Sequence, residues 1–171
     1  MPVIDATLVL EATNNALAEL DPVGHIASLD ADDNSNQAWS CNFFAPALLD
    51  YAQKASSGAI VTTEYGENGP AWPTDFPANS LVNFSMLFKK SSANHNFNVF
   101  FDNDKQAYCI QVYLGHSIRI STPMRAADFL AHWHALATDE WAVAYRALFS
   151  VAPDAKDNGI DVQYVSVLQG A

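Results

Sequence analysis

Residues 81–114, LVNFSMLFKKSSANHNFNVFFDNDKQAYCIQVYL, decide the fold. Three runs within them, 81–88, 97–102 and 106–114, are rich in Phe, Val, Leu and Tyr, the side chains that fit a pleated, half-buried surface. Between the second and third runs stands Asp102-Asn103-Asp104, whose short polar side chains bond their own backbone and tolerate positive φ. That chemistry predicts a tight hairpin, and successive strands joined in this way make an antiparallel meander. Residues 117–121, after Gly115-His116, offer a further candidate strand.

Toward the N-terminus, the β-branched stretch Ile60 to Thr63 reads as a short strand that begins the meander. Before it, residues 43–56 place Phe44, Leu48 and Tyr51 on one helical face, and Ser56-Ser57-Gly58 closes that helix. An earlier helix is expected over residues 5–20, where Leu10, Leu17 and Leu20 recur at helical spacings until Asp21-Pro22-Val23-Gly24 stops it. Toward the C-terminus, Thr122-Pro123 resembles an N-cap followed by proline at the first helical position. Two apolar stripes follow, Phe129, Trp133 and Leu136, then Trp141, Tyr145, Leu148 and Phe149, before Pro153. Residues 161–168 have strand composition and return the chain to the sheet. The summed expectation is an α+β fold: an antiparallel β-meander of four to six strands packed against N-terminal and C-terminal helices as a single layer pair. Residues 1–171 form a single globular domain on this reading, with open sheet and closed barrel both allowed.

Composition narrows the function. Half of the 171 residues are apolar and 12% are aromatic, so the chain has ample material for a core. Nineteen acids face eight bases, a net charge of −11 that disfavours nucleic acid, whose phosphates need clustered Lys and Arg. No apolar run approaches the ~20 residues that cross a bilayer, so no membrane partner is expected. The start, Met1-Pro2-Val3-Ile4-Asp5, lacks the basic-then-apolar pattern of a secretory signal, and the expected location is cytoplasmic. In that compartment Cys41 and Cys109 are expected to stay reduced.

Several constellations bear on chemistry. His132-Trp133-His134 sits on an expected helix, where positions two apart diverge by roughly 200° and their rings cannot share one ion. Asp30, Asp32, Asn34 and Asn36 imitate the oxygen ligands of a calcium loop, yet the sixth position is Ser35 instead of Gly and the twelfth is Cys41 instead of Glu. No metal site and no cofactor are expected; no glycine-rich phosphate loop is present either. Cys41 stands just before the helix expected at 43–56, where the positive end of the helix lowers a thiol's pKa. A nucleophile there needs a base, for which His116 is in sequence order, and an orienting group, for which Asp128 or Asn94 would serve.

Asn98-Val99-Phe100-Phe101 followed by Cys109-Ile110-Gln111-Val112-Tyr113-Leu114-Gly115 resembles the sheet hairpin of papain-like cell-wall peptidases. The resemblance implies a cysteine hydrolase. Cys109 occupies the position at which that family carries its catalytic histidine, and Cys41 lacks the family's preceding Asp and following small residues.

Residues 66–80, GENGPAWPTDFPANS, are a proline-restricted loop that carries Trp72 and Phe76. Either these rings anchor a partner or they fold back as a lid on the core. With Asp30, Asp32 and Asp33 of the polar loop, the outward reading describes a negative surface with aromatic anchors. The sequence therefore favours a non-enzymatic, acidic protein-binding module that captures a basic protein partner, as an inhibitor, immunity protein or chaperone does. Two alternatives stand beside it: a small papain-like cysteine hydrolase using Cys41 and His116, and an α+β domain that binds an apolar small molecule between sheet and helices. The identity of the partner and the oligomeric state are left open.

Overall fold

A computed structural model describes residues 3–20, 34–65, 69–70, 75–88, 94–110, 126–127, 130 and 160–170. Its elements are α1 (Ala6–Leu20), α2 (Asn34–Ser56), β1 (Ala59–Tyr65), β2 (Ser80–Phe88), β3 (Asn94–Phe101), β4 (Ala107–Ile110) and β5 (Ile160–Gln169). The chain is α+β, and its described strands form a five-stranded antiparallel sheet.

The α1 helix starts where Asp5 caps it: the Leu8 N–H donates to Asp5 Oδ1 at 2.9 Å, and the Val9 N–H donates to the Asp5 carbonyl at 3.0 Å. Its buried stripe is Val9, Leu10, Ala12, Thr13 and Ala16, in which the two alanines allow α2 to approach closely. The Thr13 hydroxyl satisfies itself on the Val9 carbonyl one turn back.

The second helix is longer than its sequence suggests. It begins at Asn34, not near residue 43, and runs through Pro46. Proline deletes the N–H that would bond the Asn42 carbonyl and crowds the preceding turn. The helix survives because Pro46 lies on the exposed side, while the flanking Phe44, Ala45, Leu48 and Leu49 are buried. At the other end the Gly58 N–H donates to Ser56 Oγ, and Ser57 adopts a left-handed φ of 53°. A Cβ on Gly58 would run into the carbonyl oxygen of Gln169, so only glycine lets the chain leave α2 this close to β5.

The strand order is β1-β5-β2-β3-β4. Strands β2, β3 and β4 form the expected meander, but β1 does not begin it, because β5 is inserted between β1 and β2. Both neighbours run antiparallel to β5, so β1 and β2 point the same way. The proline-bearing connection between them therefore leads the chain back to the starting end instead of reversing it in a hairpin.

Residues facing each other across antiparallel strands share a face, so the register defines both sides of the sheet. On the side of the helices, Ile60, Leu168, Leu81, Phe100 and Tyr108 form one apolar row, joined to the α1–α2 core by Ile4, Val9, Phe44, Leu48 and Ala52. On the opposite side, Val167, Val82, Val99 and Cys109 form a second apolar row beside Val165, Phe84 and Phe97. This second side carries a buried patch too, made by Val82, Phe84, Phe97, Val99, Cys109 and Val165, while Val61 at its β1 end is exposed. Of the region expected to form C-terminal helices, Ala126, Ala127 and Leu130 are helical, and Leu130 packs against the α1–α2 core. The remaining expected helical stripes and the candidate strand at 117–121 lie outside the described residues. No described helix is long and apolar enough to cross a membrane.

Candidate partner-binding surface

The structure separates the residues nominated by sequence. Asp30, Asp32, Asp33, Trp72, His116 and Asp128 lie outside the described residues, as do His132 and His134. Phe76 is described, and it is turned inward. The residue is 4% exposed, and its ring stacks on Phe101 with centroids 5.0 Å apart and meets Phe84 edge-on at 5.8 Å. The lid alternative is thus the one the ring adopts, and Phe76 is corrected from partner anchor to core residue: stacking on two rings removes its apolar surface from water within the chain itself.

The same loop is fastened from outside. Lys105 Nζ donates to Asp75 Oδ2 at 2.7 Å, and the Asn79 N–H donates to the Asp102 carbonyl at 3.2 Å. Beneath them Asp102 organises the β3–β4 turn as its sequence suggests: Oδ1 accepts the Asp104 and Gln106 N–H groups at 2.9 and 2.8 Å, and Lys105 takes a left-handed φ of 59°. The Tyr108 hydroxyl donates to Asp102 Oδ2 at 3.0 Å. Burial first, and then this bond to the neighbouring carboxylate, push the Tyr108 phenol up to about 12.

Cys41 is the eighth residue of α2, two turns beyond its start. The effect of a helix terminus fades within its first turn, so the position that nominated this thiol for activation is not the one it occupies. The hairpin behind the peptidase resemblance exists as β3 and β4, with Asn98 opposite Ile110 and Val99 opposite Cys109. Its Cys109, at the histidine position of that resemblance, is sealed in the apolar side of the sheet. Among the described residues, no three His, Cys, Asp or Glu side chains are grouped to hold a metal ion.

What the sequence reading missed is a polar field on the helix-facing side of the sheet. Next to the apolar row come Thr62, Ser166, Asn83 and Asn98 in register, and beyond them Glu64, Tyr164, Ser85 and Asn96. The inner part is closed and satisfied. Asn83 Nδ2 donates to Asn98 Oδ1 at 3.1 Å, Asn98 Nδ2 donates to the Ala45 carbonyl at 2.9 Å, and Asn96 Nδ2 donates to Asn42 Oδ1. The outer part is open: Thr62 and Glu64 are exposed, and Tyr164 keeps 44% of its surface. The signal was present as asparagine at every second position, Asn94, Asn96 and Asn98, in a strand otherwise full of phenylalanine.

Charge is equally uneven. Each lysine with a described side chain is held by an acid: Lys54 by Asp50 four residues earlier, and Lys105 by Asp75. The hydrogen bond to Asp50 raises the Lys54 ammonium above its ordinary value, and the bond from Lys105 holds the Asp75 carboxyl below its own. Among the described residues, Glu11, Glu64 and Asp104 have no cationic partner. Compared with family models, with curated proteins and with solved structures, the chain finds no significant match in any of the three.

Proposed function

We propose that this chain is a non-enzymatic, acidic protein-binding module that captures a basic protein partner, in the manner of an inhibitor, an immunity protein or a chaperone. The observation that supports it most directly is the pairing of Lys54 and Lys105 with Asp50 and Asp75, which cancels the described lysines and leaves Asp5, Glu11, Glu19, Glu64, Asp102 and Asp104 to set the field of the described residues. A net charge of −11 raises the encounter rate with cationic surfaces, and the gain falls as salt screens it. Asp30, Asp32, Asp33 and Trp72 complete the proposed contact set, and the cytoplasm is its proposed location. Phe76 has no part in it, because its ring is committed to the core.

The reading is tested by immobilising the full chain, recovering bound protein at low salt, and reconstituting the complex from purified components. A basic partner that binds stoichiometrically, with an association rate that drops steeply between low and physiological salt, is the expected result. Recovery of a neutral or acidic partner, or association indifferent to salt, overturns it.

A further inference from the structure

We propose that Glu64 and Tyr164 together form a seat for an arginine side chain of the partner, an inference that rests on the basic-partner reading above. The two residues are directly opposite in the β1–β5 ladder, so their side chains rise from the same face as neighbours roughly 5 Å apart at Cβ. Glu64 is exposed, Tyr164 is 44% exposed, and neither side chain has a hydrogen-bond or ion-pair partner among the described residues. A carboxylate without a cation among the described residues, beside an open aromatic ring, fits one chemistry in particular. A guanidinium is planar: its edge pairs with a carboxylate through two N–H groups while its face lies on a ring. An ammonium is a compact point charge and offers no face to lay on the ring, so the pair favours arginine over lysine. The adjoining cross-strand pair, Thr62 and Ser166, has its hydroxyls 2.8 Å apart on the same side, which places further acceptors beside the seat. The described lysines do not compete, since Lys54 and Lys105 are held by Asp50 and Asp75.

The test uses the full chain and a blocked hexapeptide of alternating arginine and threonine, with lysine and citrulline versions as controls, titrated at low salt by calorimetry. The arginine peptide should bind best and the citrulline peptide not measurably. Glu64→Gln and Tyr164→Leu, both at exposed positions, should each weaken the arginine peptide by roughly threefold or more, whereas Asn15→Ala, exposed on α1, should leave it unchanged. Circular dichroism confirms that each variant is folded. Wild-type affinity in either Glu64→Gln or Tyr164→Leu overturns the seat while leaving capture by the other acids standing. Failure of the wild-type chain to bind the arginine peptide at all overturns the seat and the basic-partner reading together.

Discussion

Asn98, in the third strand, donates its side-chain amide to the main-chain oxygen of Ala45, the residue that precedes the proline inside α2. That bond is buried, and Asn98 Oδ1 simultaneously accepts from Asn83. One carboxamide thus joins the sheet to the helix at the turn that Pro46 weakens. Buried polar groups of this kind are far more costly to leave unmatched than they are favourable when matched.

Asn98→Ala should therefore destabilise the fold by about 1–3 kcal/mol, since it removes one buried partner each from the Ala45 carbonyl and the Asn83 amide. Urea unfolding followed by circular dichroism measures it. In a double-mutant cycle with Asn83→Ala, the two losses should be non-additive by about 0.5 kcal/mol or more. Additive losses would mean that the two amides act separately.

Removing the Phe76 ring should cost about 3 kcal/mol, because Phe76→Ala opens a cavity between Phe84 and Phe101. Near-ultraviolet circular dichroism should change with it, as two ring contacts disappear. A loss below about 1 kcal/mol would place the ring outside the core.

At Gly58, alanine should be destabilising by about 1–3 kcal/mol even though the position adjoins the surface, since the new Cβ meets the Gln169 carbonyl and the backbone must separate. The midpoint of urea unfolding should fall with an unchanged slope. An unaltered midpoint would show that β5 yields freely at its end.

Alkaline pH should weaken the fold through Tyr108. Its phenol titrates near its ordinary 10.0 in the unfolded chain and at about 12 in the folded one, so between these values the unfolded state binds fewer protons. Stability is fully present below pH 10 and declines as pH rises toward 12. Denaturation of the wild type and of Tyr108→Phe at pH 8 and pH 11 separates this contribution: the substituted chain should lose less between the two values. An equal decline in both would assign the alkaline loss to other groups.

The parts of this fold that were legible in the sequence are those that local chemistry decides. The helix over 5–20 could be read from its leucine spacing, Asp102-Asn103-Asp104 as a turn, and the Phe- and Val-rich runs as strands, because each depends on residues within a few positions of one another. The start of α2 was not legible, since 34–42 contains Ser, Asn and Cys and little that marks a helix on its own. Nor was the place of β5, because its composition fits either edge or centre and only its two partners decide. Of the proposed seat, Glu64 and Tyr164 are 100 positions apart, and nothing local to either one indicates the other.

The position of β5 also governs when this protein can exist. The strand that joins β1 to β2 is made of residues 160–169, so a ribosome has released α1, α2 and four strands into solution before the piece that unites them emerges. Until then, the nascent chain holds β1 and β2 with their facing ladders open, a state that invites pairing with neighbouring polypeptides. Vectorial synthesis therefore leaves β1 and β2 without their shared partner until residues 160–169 emerge.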